Sequence, residues 1–247
     1  MTKVQLAPVL AVAGGAAGLV VVSEFAHLSP PGWITGFAYL VVSNVLLARG
    51  LRRWGMPHFG WANTVTAARS SLVGIVTALV VTSFTEPIPV PLLVGLAIPA
   101  LALDAVDGWV ARRTGSVSDL GARFDMEVDA YLLLVLGAYV AQDLGWWVIL
   151  IGALRYLFIL AGWVLPWMRA SLPPRYWRKV VTASAGVALV AAASGLLPEW
   201  ASLTVTLAAL GLLLESFGRD VVWLVRARPR QRAGAAPVSA PTGGESG

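Results

Sequence analysis

Residues 5–224 divide into eight mostly apolar stretches, roughly 5–23, 33–49, 64–83, 90–111, 122–142, 145–166, 180–197 and 201–224. Each approaches the ~20 residues an α-helix needs to cross the hydrocarbon core of a bilayer. The expected fold is therefore all-α, a polytopic membrane helix bundle. The loops supply an independent test. Glu24, Glu86, Asp143 and Glu199 fall in alternate loops that hold no Lys or Arg. The opposite ends carry Lys3, then Arg49, Arg52 and Arg53, then Arg112, Arg113 and Arg123, then Arg169, Arg175, Arg178 and Lys179, and last Arg219, Arg226, Arg228, Arg230 and Arg232. Positive residues collect in cytoplasmic loops. Eight spans satisfy that rule without exception and predict a multi-pass cell-membrane protein with both termini on the cytoplasmic side.

Composition excludes the water-soluble classes. The chain is 57% hydrophobic and 13% charged, where a soluble domain carries about 25% charged residues. A formal net charge of +5 would suggest nucleic acid in a soluble protein. Here the charges mark membrane boundaries, and no nucleic-acid partner is expected. Without cysteine there is neither a disulfide framework nor a thiolate metal site. The first stretch follows Lys3 but lacks a short cleavage site, and reads as a retained span. Its Gly14 and Gly18 form a GxxxG pattern that can pack helices closely. From about residue 226 the chain turns to Arg, Pro, Ala, Gly and Ser without periodicity. This predicts a disordered tail, 226–247, whose basic start rests on anionic headgroups.

Charged residues inside a span face the bundle interior and mark function. Asp104 and Asp107 lie at the cytoplasmic end of the fourth stretch, Asp125 and Asp129 at the start of the fifth. Spacings of three and four put each pair on one helical face, and a short connection lets the two faces oppose each other. Four converging carboxylates repel one another unless a divalent cation joins them. Hard oxygen donors suit Mg²⁺ or Mn²⁺, and paired metals clamp the oxygens of a phosphoryl displacement. Gly108 leaves room against the helix, Ala111 is small, Arg112 offers a fork to phosphate, and Gly121 opens the next helix beside Asp125. Glu127 points away from both neighbouring aspartates, and it and Asp119 read as solvated interfacial residues. Arg155, deep in the sixth stretch, suits an acceptor's anionic group or a pair with the intramembrane Glu215. Arg175, Arg178 and Lys179 read as ordinary cytoplasmic-loop positives. A divalent-cation carrier is the alternative reading, although carriers place such carboxylates near the midplane on broken helices.

The run Asp104, Asp107, Gly108, Ala111, Arg112, then Gly121, Asp125 and Asp129 at the intervals found here resembles the signature of the CDP-alcohol phosphatidyltransferases. Asn63, Thr66 and Arg69 are similar to the Asn-x-x-Thr-x-x-Arg opening of that family's first core helix. The resemblance implies a six-helix catalytic core over residues 60–225, preceded by two additional N-terminal transmembrane helices and a basic linker in 1–59. It implies a role in phospholipid biosynthesis: transfer of a phosphatidyl group from CDP-diacylglycerol to an alcohol, with release of CMP. The acceptor is glycerol 3-phosphate, inositol phosphate, serine or another alcohol. It further implies that Asp104, Asp107, Asp125 and Asp129 hold two Mg²⁺ or Mn²⁺ ions and that Asp129 is the general base. Thr66, Arg69, Gly108, Ala111, Arg112 and Gly121 would contact the CDP-lipid at a cytoplasmic active site. A homodimer among membrane lipids completes what the resemblance implies.

Overall fold

A computed structural model describes residues 3–53, 61–114, 119–170 and 176–234, without the side chains of 3–9, 51–53, 61–65, 104–114, 119–120, 122–123, 169 and 227–234. Eight α-helices occur among these residues, one at each expected span. They are α1 (Lys3–Ser23), α2 (Pro30–Arg53), α3 (Trp61–Thr82), α4 (Val90–Thr114), α5 (Asp119–Leu144), α6 (Leu150–Val164), α7 (Tyr176–Ala193) and α8 (Glu199–Gly234). Short 3₁₀ turns at Trp146–Ile149 and Pro166–Arg169 flank α6. Breakers set the boundaries. Pro30 opens α2 where a missing N–H costs nothing, and Gly145, at φ 101°, makes the reversal between α5 and α6 that a side chain would resist.

Three segments among the described residues are long and apolar enough to cross a membrane: Pro30–Gly50, Trp146–Val164 and Glu199–Arg226. Leu10–Ser23, Thr66–Thr82 and Val90–Leu103 are further apolar stretches among the described residues. Large apolar side chains such as Leu46, Leu160, Trp163, Val187 and Leu214 point outward, as a bundle dissolved in lipid requires. The protein is a membrane helix bundle.

At its centre lies α3, packed against α1, α2, α4 and α5. Val73, Val76 and Leu79 of α3 are sealed against Leu40, Leu93 and Leu136. Two buried polar stitches fasten α2 along α3: Ser29 Oγ to Thr82 Oγ1 at 3.2 Å, and Ser70 Oγ to Ser43 Oγ at 3.1 Å. Within the chain, the two glycines of the GxxxG pattern differ in surroundings. Gly18 is covered by Ile75 of the same chain, whereas nothing stands over Gly14.

Helix α8 continues to Gly234, past residue 226, where the apolar pattern ends. Backbone hydrogen bonds inside a helix need no apolar pattern. Residues 235–247 lie outside those described.

The α5–α6 contact depends on Gly152, where a Cβ would collide with the backbone of Leu134. Gly152→Val forces the two helices apart and is expected to cost about 1–3 kcal/mol. Thermal unfolding in detergent reads this, and an unchanged midpoint would disprove the close-approach account.

Candidate functional site

The opening of α3 buries a charge. Thr66 is buried, and Arg69, one turn further on, has no exposed surface at all. A guanidinium taken out of water needs carboxylates placed against it, and α5 supplies two. Arg69 Nη1 donates to Asp129 Oδ1 at 2.6 Å, and Nη2 donates to Asp125 Oδ1 with a further 3.4 Å contact to the Asp125 carbonyl. The spacing of four lets both aspartates project from one face of α5, and the planar fork of arginine engages two acceptors at once.

Burial is graded across this cluster. The guanidinium is sealed, while the Asp125 and Asp129 side chains keep 24% and 22% of their surface. The carboxylates therefore form a rim, and the arginine lies beneath them. The rim thus presents two carboxylates that are partly exposed, over a cation that is not. Gly121 continues the same stripe one turn before Asp125, and its lack of a side chain keeps the approach open.

Asp104, Asp107, Gly108, Ala111 and Arg112 all lie on helix α4, where their intervals put them on one stripe. Their side chains lie outside the described residues, as does that of Asn63. No group of three or more His, Cys, Asp or Glu capable of holding a metal occurs among the described residues. The donors present at the rim are nonetheless hard carboxylate oxygens, which fit Mg²⁺ or Mn²⁺ and do not fit a soft-ligand metal.

Arg155 does not make the ion pair that was one of its two expected roles. Its Nη2 donates to Glu127 Oε1 at 2.5 Å, and Nη1 lies 3.9 Å from Met126 Sδ. The expected pair with Glu215 is not formed. Glu215 instead pairs with Arg219 on the same helix and accepts from Trp177 Nε1 at 3.2 Å. The cause is which face of α5 meets α6: Glu127 points away from Asp125 and Asp129, as its spacing predicts, and so toward Arg155. The Arg155 Nε is buried without a hydrogen-bond partner, a donor left unsatisfied at a cost of about 1–3 kcal/mol.

One charged pair escaped the sequence reading. Asp220 of α8 is 4% exposed and lies 2.9 Å from Arg178 Nε of α7. Arg178 is thus more than a loop positive, since it neutralises a buried carboxylate between two helices. The signal was available, because Asp220 stands inside the last apolar stretch where an ionised group is costly.

Comparison with known proteins gives one match. The family model for CDP-alcohol phosphatidyltransferase covers residues 59–215, more than half of the chain, from just before α3 into α8. Neither a curated protein nor a solved structure matches.

Proposed function

This chain belongs to the CDP-alcohol phosphatidyltransferase family, and on that premise we propose that it moves a phosphatidyl group from CDP-diacylglycerol to an alcohol. Membership implies a transferase of phospholipid biosynthesis acting on CDP-linked substrates. The observation that supports the finer reading is the fork of Arg69 across the partly exposed Asp125 and Asp129. Carboxylates held in a fixed pose by a sealed cation are pre-organised, and pre-organisation is what phosphoryl transfer asks of a protein.

In this reading Asp104, Asp107, Asp125 and Asp129 would hold two Mg²⁺ or Mn²⁺ ions. When bound, such ions neutralise the pyrophosphate of the donor and ease departure of CMP. The remaining work belongs to the chain. Gly108, Ala111, Gly121 and Thr66 leave room for the cytidine diphosphate and line it, and Arg112 offers a fork to a phosphate oxygen. Asp129 takes the proton of the acceptor hydroxyl as its oxygen attacks the lipid-linked phosphorus. The bond from that phosphorus to the bridging oxygen breaks, and the electron pair leaves with CMP. Arg155, whose side chain keeps 28% of its surface, offers its guanidinium to an anionic group on the acceptor. Glycerol 3-phosphate, inositol phosphate and serine each carry one. The basic residues at the helix ends support a cytoplasmic side for this site.

Detergent-purified protein given CDP-diacylglycerol, Mg²⁺ or Mn²⁺ and one alcohol at a time is expected to release CMP with a particular acceptor. Chelation of the metal with EDTA is expected to stop it. Failure to bind the CDP-lipid and to release CMP with any acceptor would overturn the proposal.

A further inference from the structure

Helices α1 and α2 lie before the matched segment, yet they reach the residues that carry the site. Ser70 and Ser71 directly follow Arg69 on α3. Ser70 Oγ donates to Ser43 Oγ of α2 at 3.1 Å, and Ser71 Oγ donates to the Ala11 carbonyl of α1 at 3.0 Å. One turn before Ser43, the ring of Tyr39 stacks on Tyr131 of α5 with centroids 4.5 Å apart and planes 16° from parallel. Tyr131 stands two residues after Asp129. The same Tyr39 ring lies over Gly74 of α3, where a Cβ would come within 3.3 Å of Tyr39 Cδ1.

Helix α2 thus touches α3 and α5 on both sides of the Arg69 fork. Tyr39 and Ser43 meet Gly74 and Ser70 on α3, and the outer face of the Tyr39 ring meets α5. A slide of α3 along α5 by about 1 Å would take the guanidinium off both carboxylates, and misplacements of that size cost up to about 10²-fold in rate.

We infer that the N-terminal helix pair is a positioning element of the active site, with Tyr39 as the residue that fixes the spacing of α3 and α5 and so holds Arg69, Asp125 and Asp129 in register. The inference rests on the proposed transferase reading for its kinetic consequence, but its structural consequence stands apart from catalysis.

The test uses the full-length protein in detergent with Tyr39→Ala, Tyr39→Leu and Tyr39→Phe. Tyr39→Leu keeps most of the volume without the aromatic stack and serves if the alanine variant does not fold. Tyr39→Ala and Tyr39→Leu are expected to lower kcat about tenfold, within the range a sub-ångström misplacement produces, with KM for CDP-diacylglycerol nearly unchanged. Both are expected to weaken Mn²⁺ binding, measured by electron paramagnetic resonance without substrate. Tyr39→Phe, which keeps the ring, is expected to restore both. A lowered thermal midpoint with wild-type kcat and wild-type Mn²⁺ affinity would overturn the inference and leave α2 a packing element. Wild-type protein that releases no CMP with any acceptor would count against the transferase reading instead. The Mn²⁺ affinities of the variants would still decide the positioning role.

Discussion

Replacing Arg69 with alanine is expected to abolish transfer and to cost about 3 kcal/mol of stability, the lower end of the range for breaking a buried ion pair. Two carboxylates one turn apart on α5 would face each other without the guanidinium between them. The lower end applies because both aspartates keep part of their surface in contact with solvent, which softens the loss. Lysine separates charge from geometry. A single ammonium restores the positive charge but cannot bridge two acceptors as a planar fork does. Arg69→Lys is therefore expected to recover most of the thermal midpoint while kcat stays about 10²-fold down, as misaligned catalytic groups give. Unfolding in detergent and CMP release measured on the same preparations check both halves. Full activity in the lysine variant would show that the fork has no catalytic consequence.

The second large effect is expected from Asp129→Asn, a loss of turnover of about 10³-fold, within the span attributed to a positioned general base. Asparagine keeps the shape of the side chain, and its Oδ1 can still accept from Arg69 Nη1 at the 2.6 Å position. Stability and CDP-lipid binding should therefore change little while the capacity to take a proton disappears. Equilibrium binding of the CDP-lipid beside CMP release distinguishes lost chemistry from lost folding. A variant with wild-type turnover would remove Asp129 from the role of base.

The helices were legible in the sequence because lipid imposes a length on each apolar run, and proline, glycine and charge mark the ends. All eight α-helices overlap their expected stretches. The entry into α6 was less legible: Trp146–Ile149 forms a 3₁₀ turn before the helix proper, a difference of hydrogen-bond register that hydropathy does not register. Pairing across helices was harder still. Arg155 meets Glu127 rather than Glu215, because apolar content says that a helix is in the membrane and not which face it turns to a neighbour. The stripe of Asp125 and Asp129 was readable from spacing alone. That Arg69 lies beneath it was not, since the two segments are 56 to 60 residues apart. Asp220 was overlooked although its position inside an apolar stretch carried the same warning as the four aspartates.

The same separation along the chain acquires a meaning during translation. A ribosome delivers Arg69 to the membrane 56 and 60 residues before the carboxylates that neutralise it, an interval of about 3–12 seconds at ~5–20 residues per second. Through that interval the nascent α3, Trp61–Thr82, carries a cation whose partners on α5 have not been made. What has already been made is α1 and α2, with Ala11, Tyr39 and Ser43 ready to receive the turn that follows Arg69. The contacts that α1 and α2 make with α3 are thus the ones whose partners exist before the carboxylates of α5 do.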